Sequence, residues 1–102
     1  MEIVSDIYSM TISFPIEEKY ALITQLRKCA VSMPSNIAEG FARRHNKEYK
    51  QFLYIALGSS AELETQLDIS HRLNYINETT HLAILEKINH FSRMTVNLIK
   101  CL

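Results

Sequence analysis

Apolar residues recur along this chain at helical steps, in four stretches separated by short breaks. From Glu2 to Ser13, Ile3, Val4, Ile7, Tyr8, Thr11 and Ile12 fall mostly three or four residues apart, on one helical face. That helix is predicted to end near Ser13, because the residue before Pro15 is pushed out of the helical region. Ile16-Glu17-Glu18 opens a second helix, with acidic side chains at the positive end of its dipole. Its stripe is Leu22, Ile23, Leu26, Ala30 and Val31, continued by Ile37, Ala38 and Phe41 towards Arg43 and Arg44. His45-Asn46 makes a turn, and Asn46 is placed to cap a third helix from Lys47-Glu48 to about Leu73. Its stripe reads Tyr49, Phe52, Leu53, Ala56, Ser60, Leu63 and Leu67. Asn74-Tyr75-Ile76 breaks it, and Asn77 caps a fourth helix carrying Leu82, Leu85, Ile88, Phe91, Thr95, Leu98, Ile99 and Leu102. Strand-like alternation is absent. The predicted fold class is all-α: residues 1–102 form one domain, an antiparallel up-down-up-down four-helix bundle.

Two positions disturb this plan. Pro34 has no N–H for the carbonyl of Ala30, and its ring clashes there, so the second helix is expected to kink or restart at that point. Ser32 and Ser35 carry hydroxyls suited to repairing the loss, and Asn36 is a capping residue for a restarted helix. Gly58-Ser59-Ser60-Ala61 is a run of small residues inside the long third helix, where glycine costs about 1 kcal/mol relative to alanine. The expected return is close approach of another helix, inside the bundle or across a subunit contact.

Four segments, in order, carry a resemblance. They are Pro15-Ile16-Glu17-Glu18-Lys19-Tyr20, Gln25-Leu26-Arg27-Lys28, Ser35-Asn36-Ile37-Ala38-Glu39-Gly40, and the run from Ala56 to Leu67. Together they resemble the bacterial four-helix bundle family called S23 ribosomal protein, or 23S rRNA intervening-sequence protein. That family is related to the accessory variability protein of diversity-generating retroelements. The resemblance covers nearly the whole chain. It implies a ring-like homopentamer and, by kinship with the retroelement protein, partners that are nucleic acid and a reverse transcriptase. Family members usually have a longer first helix. Here that helix spans only about 20 Å against about 40 Å for the third, so parts of the second and third are expected to lack a cover.

Eleven basic and eleven acidic residues cancel, so no global field draws the chain to nucleic acid and any electrostatic site must be local. Cys29 and Cys101 lie far apart in no metal or redox motif, and are expected to be reduced thiols of a cytoplasmic protein. No leader pattern or membrane span is read, so no membrane partner is expected. His45, His71, His81 and His90 read as solvated side chains, with Asp68 and His71 spaced for a surface ion pair. No Glu-x-x-His pair of a di-iron bundle occurs, and no nucleophile–base signature. Glu39 and Glu62 read as structural carboxylates with partners such as Arg27. The chain is therefore expected to be no enzyme and to need no cofactor. Arg43, Arg44, Lys47 and Lys50 cluster around the turn between the second and third helices, interrupted only by Glu48 among charged groups apart from His45. Arg27 and Lys28 form a second pair. These six are the candidate contacts to RNA or DNA phosphates. The competing reading makes the cluster a solvated helix end complementing a dipole, and the chain a protein-binding scaffold.

Overall fold

The computed structural model describes residues 1–102, the side chain of Lys19 excepted. Four α-helices follow one another: α1 (Glu2–Thr11), α2 (Thr24–Ala42), α3 (Asn46–Arg72) and α4 (Glu78–Cys101). They pack in a 43 × 24 × 18 Å bundle, in which α3 lies against both α2 and α4, and α1 lies against α2 and α4. Ile7, Leu26, Met33, Leu53, Leu63, Leu67 and Ile88 are fully buried at its centre. Each such side chain contributes about 1.5–3 kcal/mol relative to exposure. No helix among the described residues is long and apolar enough to cross a membrane.

Charge pins α1 in place. Lys87 of α4 meets Glu2 at 2.6 Å and Asp6 at 2.5 Å. The hydrogen bond that Lys87 donates to Asp6, followed by the one it donates to Glu2, holds its ammonium above its ordinary pKa. At its other end, Thr11 accepts from Arg27 Nε at 2.9 Å, and the Arg27 guanidinium lies 4.6 Å from the centre of the Tyr8 ring. Met1, Glu2 and Ile3 line a groove with His90, Phe91 and Met94 of α4, so the last turns of α4, about 10 Å by helical rise, run on beyond α1. Met94 and Phe41 are exposed towards that end.

Several expectations shift. The helix predicted from Ile16 begins as a 3₁₀ turn (Ile16–Glu18) and a π-helical segment (Lys19–Ile23) before α2 proper. Its wider winding lies just where the adjacent Leu22 and Ile23 are both buried. At Pro34 the helix does not restart: α2 runs through it to Ala42. The bond that Pro34 cannot donate to the Ala30 carbonyl is lost within a continuous helix. Asn36 caps nothing; its Nδ2 donates to the Ser32 carbonyl at 2.7 Å and to Ser32 Oγ at 2.9 Å. Asn46 is likewise no cap, since His45 takes that place with extended backbone and no side-chain bond. Asn77 does cap α4, accepting from the Thr80 N–H at 2.8 Å. In α4, Ile84 fills the core and Leu82 is exposed, because it sits two residues from Ile84 and so about 160° round the helix. Val31, Ala38 and Ile12 also face outwards.

The small residues work differently from their expected roles. Ser59 Oγ lies 2.7 Å from Ser32 Oγ of α2, and Ser60 Oγ lies 3.1 Å from Ser92 Oγ of α4, so the two buried serines link α3 to both neighbours. Gly58 faces open space: a Cβ there would meet nothing within 4 Å. The close approach falls at Gly40 instead, where a Cβ would stand 2.6 Å from Phe52 Cβ and 3.0 Å from Tyr49 Cδ1.

Candidate functional site

Gly40 sets up the α2–α3 end of the bundle. It is buried seven residues after Met33, on the same face, and lets α3 pack tightly there. The next residue, Phe41, is turned about 100° away and is 70% exposed rather than part of the predicted apolar stripe. Its ring meets that of Tyr49 edge-on, with centroids 6.0 Å apart at 75°.

The turn that follows carries the predicted cations. Arg43 bonds Glu39 at 3.1 Å and lies 5.2 Å from the centre of the Phe52 ring, so it closes the helix end. Arg44 adopts φ 63°, the left-handed conformation in which α-helices usually end on glycine. In an arginine that conformation costs about 1–2 kcal/mol. The other left-handed position, Asn74 at φ 62°, ends α3 with a residue that tolerates it, and the Tyr75 N–H bonds the Ser70 carbonyl at 2.9 Å. Arg44 and Lys47 are exposed and Lys50 is half-buried. None of the three has an ion pair or side-chain hydrogen bond among the described residues. Glu48 is the nearby exposed carboxylate that opposes them.

Arg27 and Lys28 are not brought to this end. Arg27 is sixteen residues before Arg43 on the same helix, about 24 Å away, and is spent on Thr11 and Tyr8. Lys28 is exposed beside the α2–α3 groove lined by Gln25, Cys29, Ser32, Ser59 and Glu62. In that groove Cys29 donates to Glu62 Oε2 at 3.5 Å, so Glu62 partners a thiol and not Arg27. Burial first, then the Glu62 carboxylate, raise the Cys29 thiol above its ordinary pKa. The expected Asp68–His71 pair is also absent. Asp68 bonds His81 Nε2 at 2.7 Å, and the His71 and His81 rings stack at 4.4 Å. No group of three or more His, Cys, Asp or Glu among the described residues is arranged to hold a metal ion.

Sequence reasoning missed Phe41 as a site residue. Its signal was the neighbouring glycine: an inward Gly40 in the register of Met33 obliges the next side chain to face out.

A small antiparallel helical bundle with an aromatic and basic end is the class these features define. The profile of the 23S rRNA-intervening sequence protein family matches residues 1–97, and the chain belongs to that family. No curated protein is similar enough to match it. A solved structure with the same fold is a protein of unknown function from the S23 ribosomal protein family of Bacteroides thetaiotaomicron. It is 20% identical, with a TM-score of 0.83 over 95% of this chain and 88% of that one.

Proposed function

We propose that this chain is a non-enzymatic, self-associating bundle protein that binds RNA through backbone phosphates at the α2–α3 end. Arg44 carries the reading. A helix end that glycine would occupy without strain holds an arginine instead, and its guanidinium is left unpaired. Strain kept at a charged, unpartnered side chain is a mark of a binding position. Lys47 and Lys50 on the first turns of α3 extend the same positive surface. Arg43 serves more to shape the end than to bind, since Glu39 and Phe52 already hold it.

A chain of zero net charge binds phosphate weakly through one such patch. A cyclic homo-oligomer would repeat the patch around its axis and sum weak contacts, and a ring of five is the assembly proposed here. Ile55 and Ile69 lie along the outer face of α3, exposed in the single chain, and supply an apolar surface for that contact. A reverse transcriptase is a candidate protein partner of such a ring.

The experiment replaces Arg44 and Lys47 together by alanine and measures RNA binding by fluorescence anisotropy. Binding to unrelated RNAs should weaken alike, because lysine and arginine around a turn contact backbone more than bases. Sedimentation and helical content should be unchanged. Unaltered affinity in the double variant removes the patch as the site. A wild type that binds no RNA even at low salt makes the chain a protein-binding scaffold.

A further inference from the structure

We infer that Phe41 is a stacking platform for an unpaired base, so that the RNA bound at this end is single-stranded. The inference rests on the RNA reading above and adds which form of RNA the site accepts. Three observations converge on it. Phe41 is 70% exposed although it lies in the last turn of a well-packed helix. Its edge-on contact with Tyr49 braces the ring without stacking over it, which leaves an aromatic face open. The base of that brace is rigid, because Tyr49 and Phe52 are packed against the backbone at Gly40.

Charge decides what lies on that face. Arg44 is three residues further along the same helix end, and Lys47 and Lys50 follow across the turn, none of them paired. Lysines such as Lys47 and Lys50 are depleted from protein–protein contacts, and burying them unpaired is costly. An aromatic ring set among free cations suits a single strand, whose bases stack on the ring while its phosphates meet the cations. A duplex offers the cations its phosphates but keeps its bases stacked in the helix, away from Phe41. The carboxylates do not cancel the site: Glu39 is held by Arg43, which leaves Glu48 alone against three free cations.

The chain has no tryptophan, so Phe41→Trp places a single reporter on the platform. Single-stranded oligouridylate should quench its emission, and a duplex RNA of equal length should bind without quenching. Phe41→Ala and Phe41→Leu should each lower affinity for the single strand by roughly five- to a hundred-fold, the range for losing one stacked base. Affinity for the duplex should not change in either variant. The leucine variant keeps an apolar side chain, so equal loss in both assigns the effect to the ring. Equal loss for single strand and duplex, or no loss for either, overturns the inference while the phosphate patch stands. Dissociation of the wild-type assembly by Phe41→Ala in sedimentation also overturns it, since a second copy then covers the ring. Failure of the wild type to bind either RNA at low salt removes the RNA reading itself.

Discussion

Replacing Gly40 by alanine tests how the α2–α3 end is built. The added methyl would stand 2.6 Å from Phe52 Cβ and 3.0 Å from Tyr49 Cδ1, against an ordinary carbon–carbon contact of about 3.5–4.0 Å. Phe52 Cβ is bonded to its own backbone, so no rotamer change removes the overlap; α2 and α3 must separate. Overpacking of this kind costs about 1–3 kcal/mol, offset by about 1 kcal/mol of better helix propensity. The overlap involves a backbone-tied atom, which puts the cost at the upper end and the net loss near ~1–2 kcal/mol. In a chain of this size that lowers Tm by roughly 4–15 °C. Gly58→Ala is the matched control: nothing lies within 4 Å of its Cβ, so the propensity gain should appear undiminished, raising Tm by roughly 4–8 °C. Both are read by circular dichroism melts at one protein concentration, with sedimentation alongside. A Gly40→Ala protein as stable as the wild type would refute the close-approach account. Gly58→Ala lowering stability together with the assembly would place that glycine in a subunit contact.

Other outcomes follow from single groups. Arg44→Gly should gain about 1 kcal/mol in urea unfolding by relieving the left-handed arginine, yet weaken RNA binding; loss of stability would contradict the strain assigned to φ 63°. Cys101 is exposed and should react with a thiol reagent near neutral pH while Cys29 stays protected. The Cys29 pKa is raised by burial and then by Glu62, so its contribution to stability is full below the ordinary thiol value and is lost as pH climbs through the raised one. Equal labelling of both cysteines in folded protein at pH 8 would contradict its burial. Lys87→Met should release Glu2 and Asp6 of α1 from α4 and speed amide exchange at residues 2–11 before the rest of the bundle; unchanged exchange there would show that the apolar contacts of Ile3 and Ile7 suffice. The raised Lys87 pKa means that its ammonium keeps this anchor at neutral pH and gives it up as pH rises above the usual lysine range.

The four helices were legible because their core stripes repeat at three and four residues, as Leu53, Ala56, Ser60, Leu63 and Leu67 do in α3. Phase was harder where apolar residues sit on two faces. Leu82 and Ile84 are equally apolar, and only the neighbouring helices decide which one is buried. Backbone irregularity was only partly legible. Proline announces itself in a sequence, so a kink or restart was expected at Pro34, where α2 does not restart, whereas the π-helical Lys19–Ile23 segment has no residue type that marks it. The basic cluster could be read because Arg43, Arg44, Lys47 and Lys50 are close in sequence. That Arg43 is spent on Glu39, and Arg27 on Thr11 and Tyr8, depends on side-chain geometry that spacing does not encode. Gly40 and Gly58 look alike as helix-interior glycines, and only the position of α3 distinguishes the tight one from the open one.

The central claim is that unpaired cations at the α2–α3 end bind RNA phosphates. Its most direct test is the salt dependence of wild-type binding to a labelled single-stranded RNA. The account predicts binding at low salt that falls linearly on a log–log plot, by about 0.7 per phosphate neutralised, and a shallower slope once Arg44 and Lys47 are alanine. No binding at any salt concentration, or an affinity and slope that the double variant leaves untouched, would contradict it.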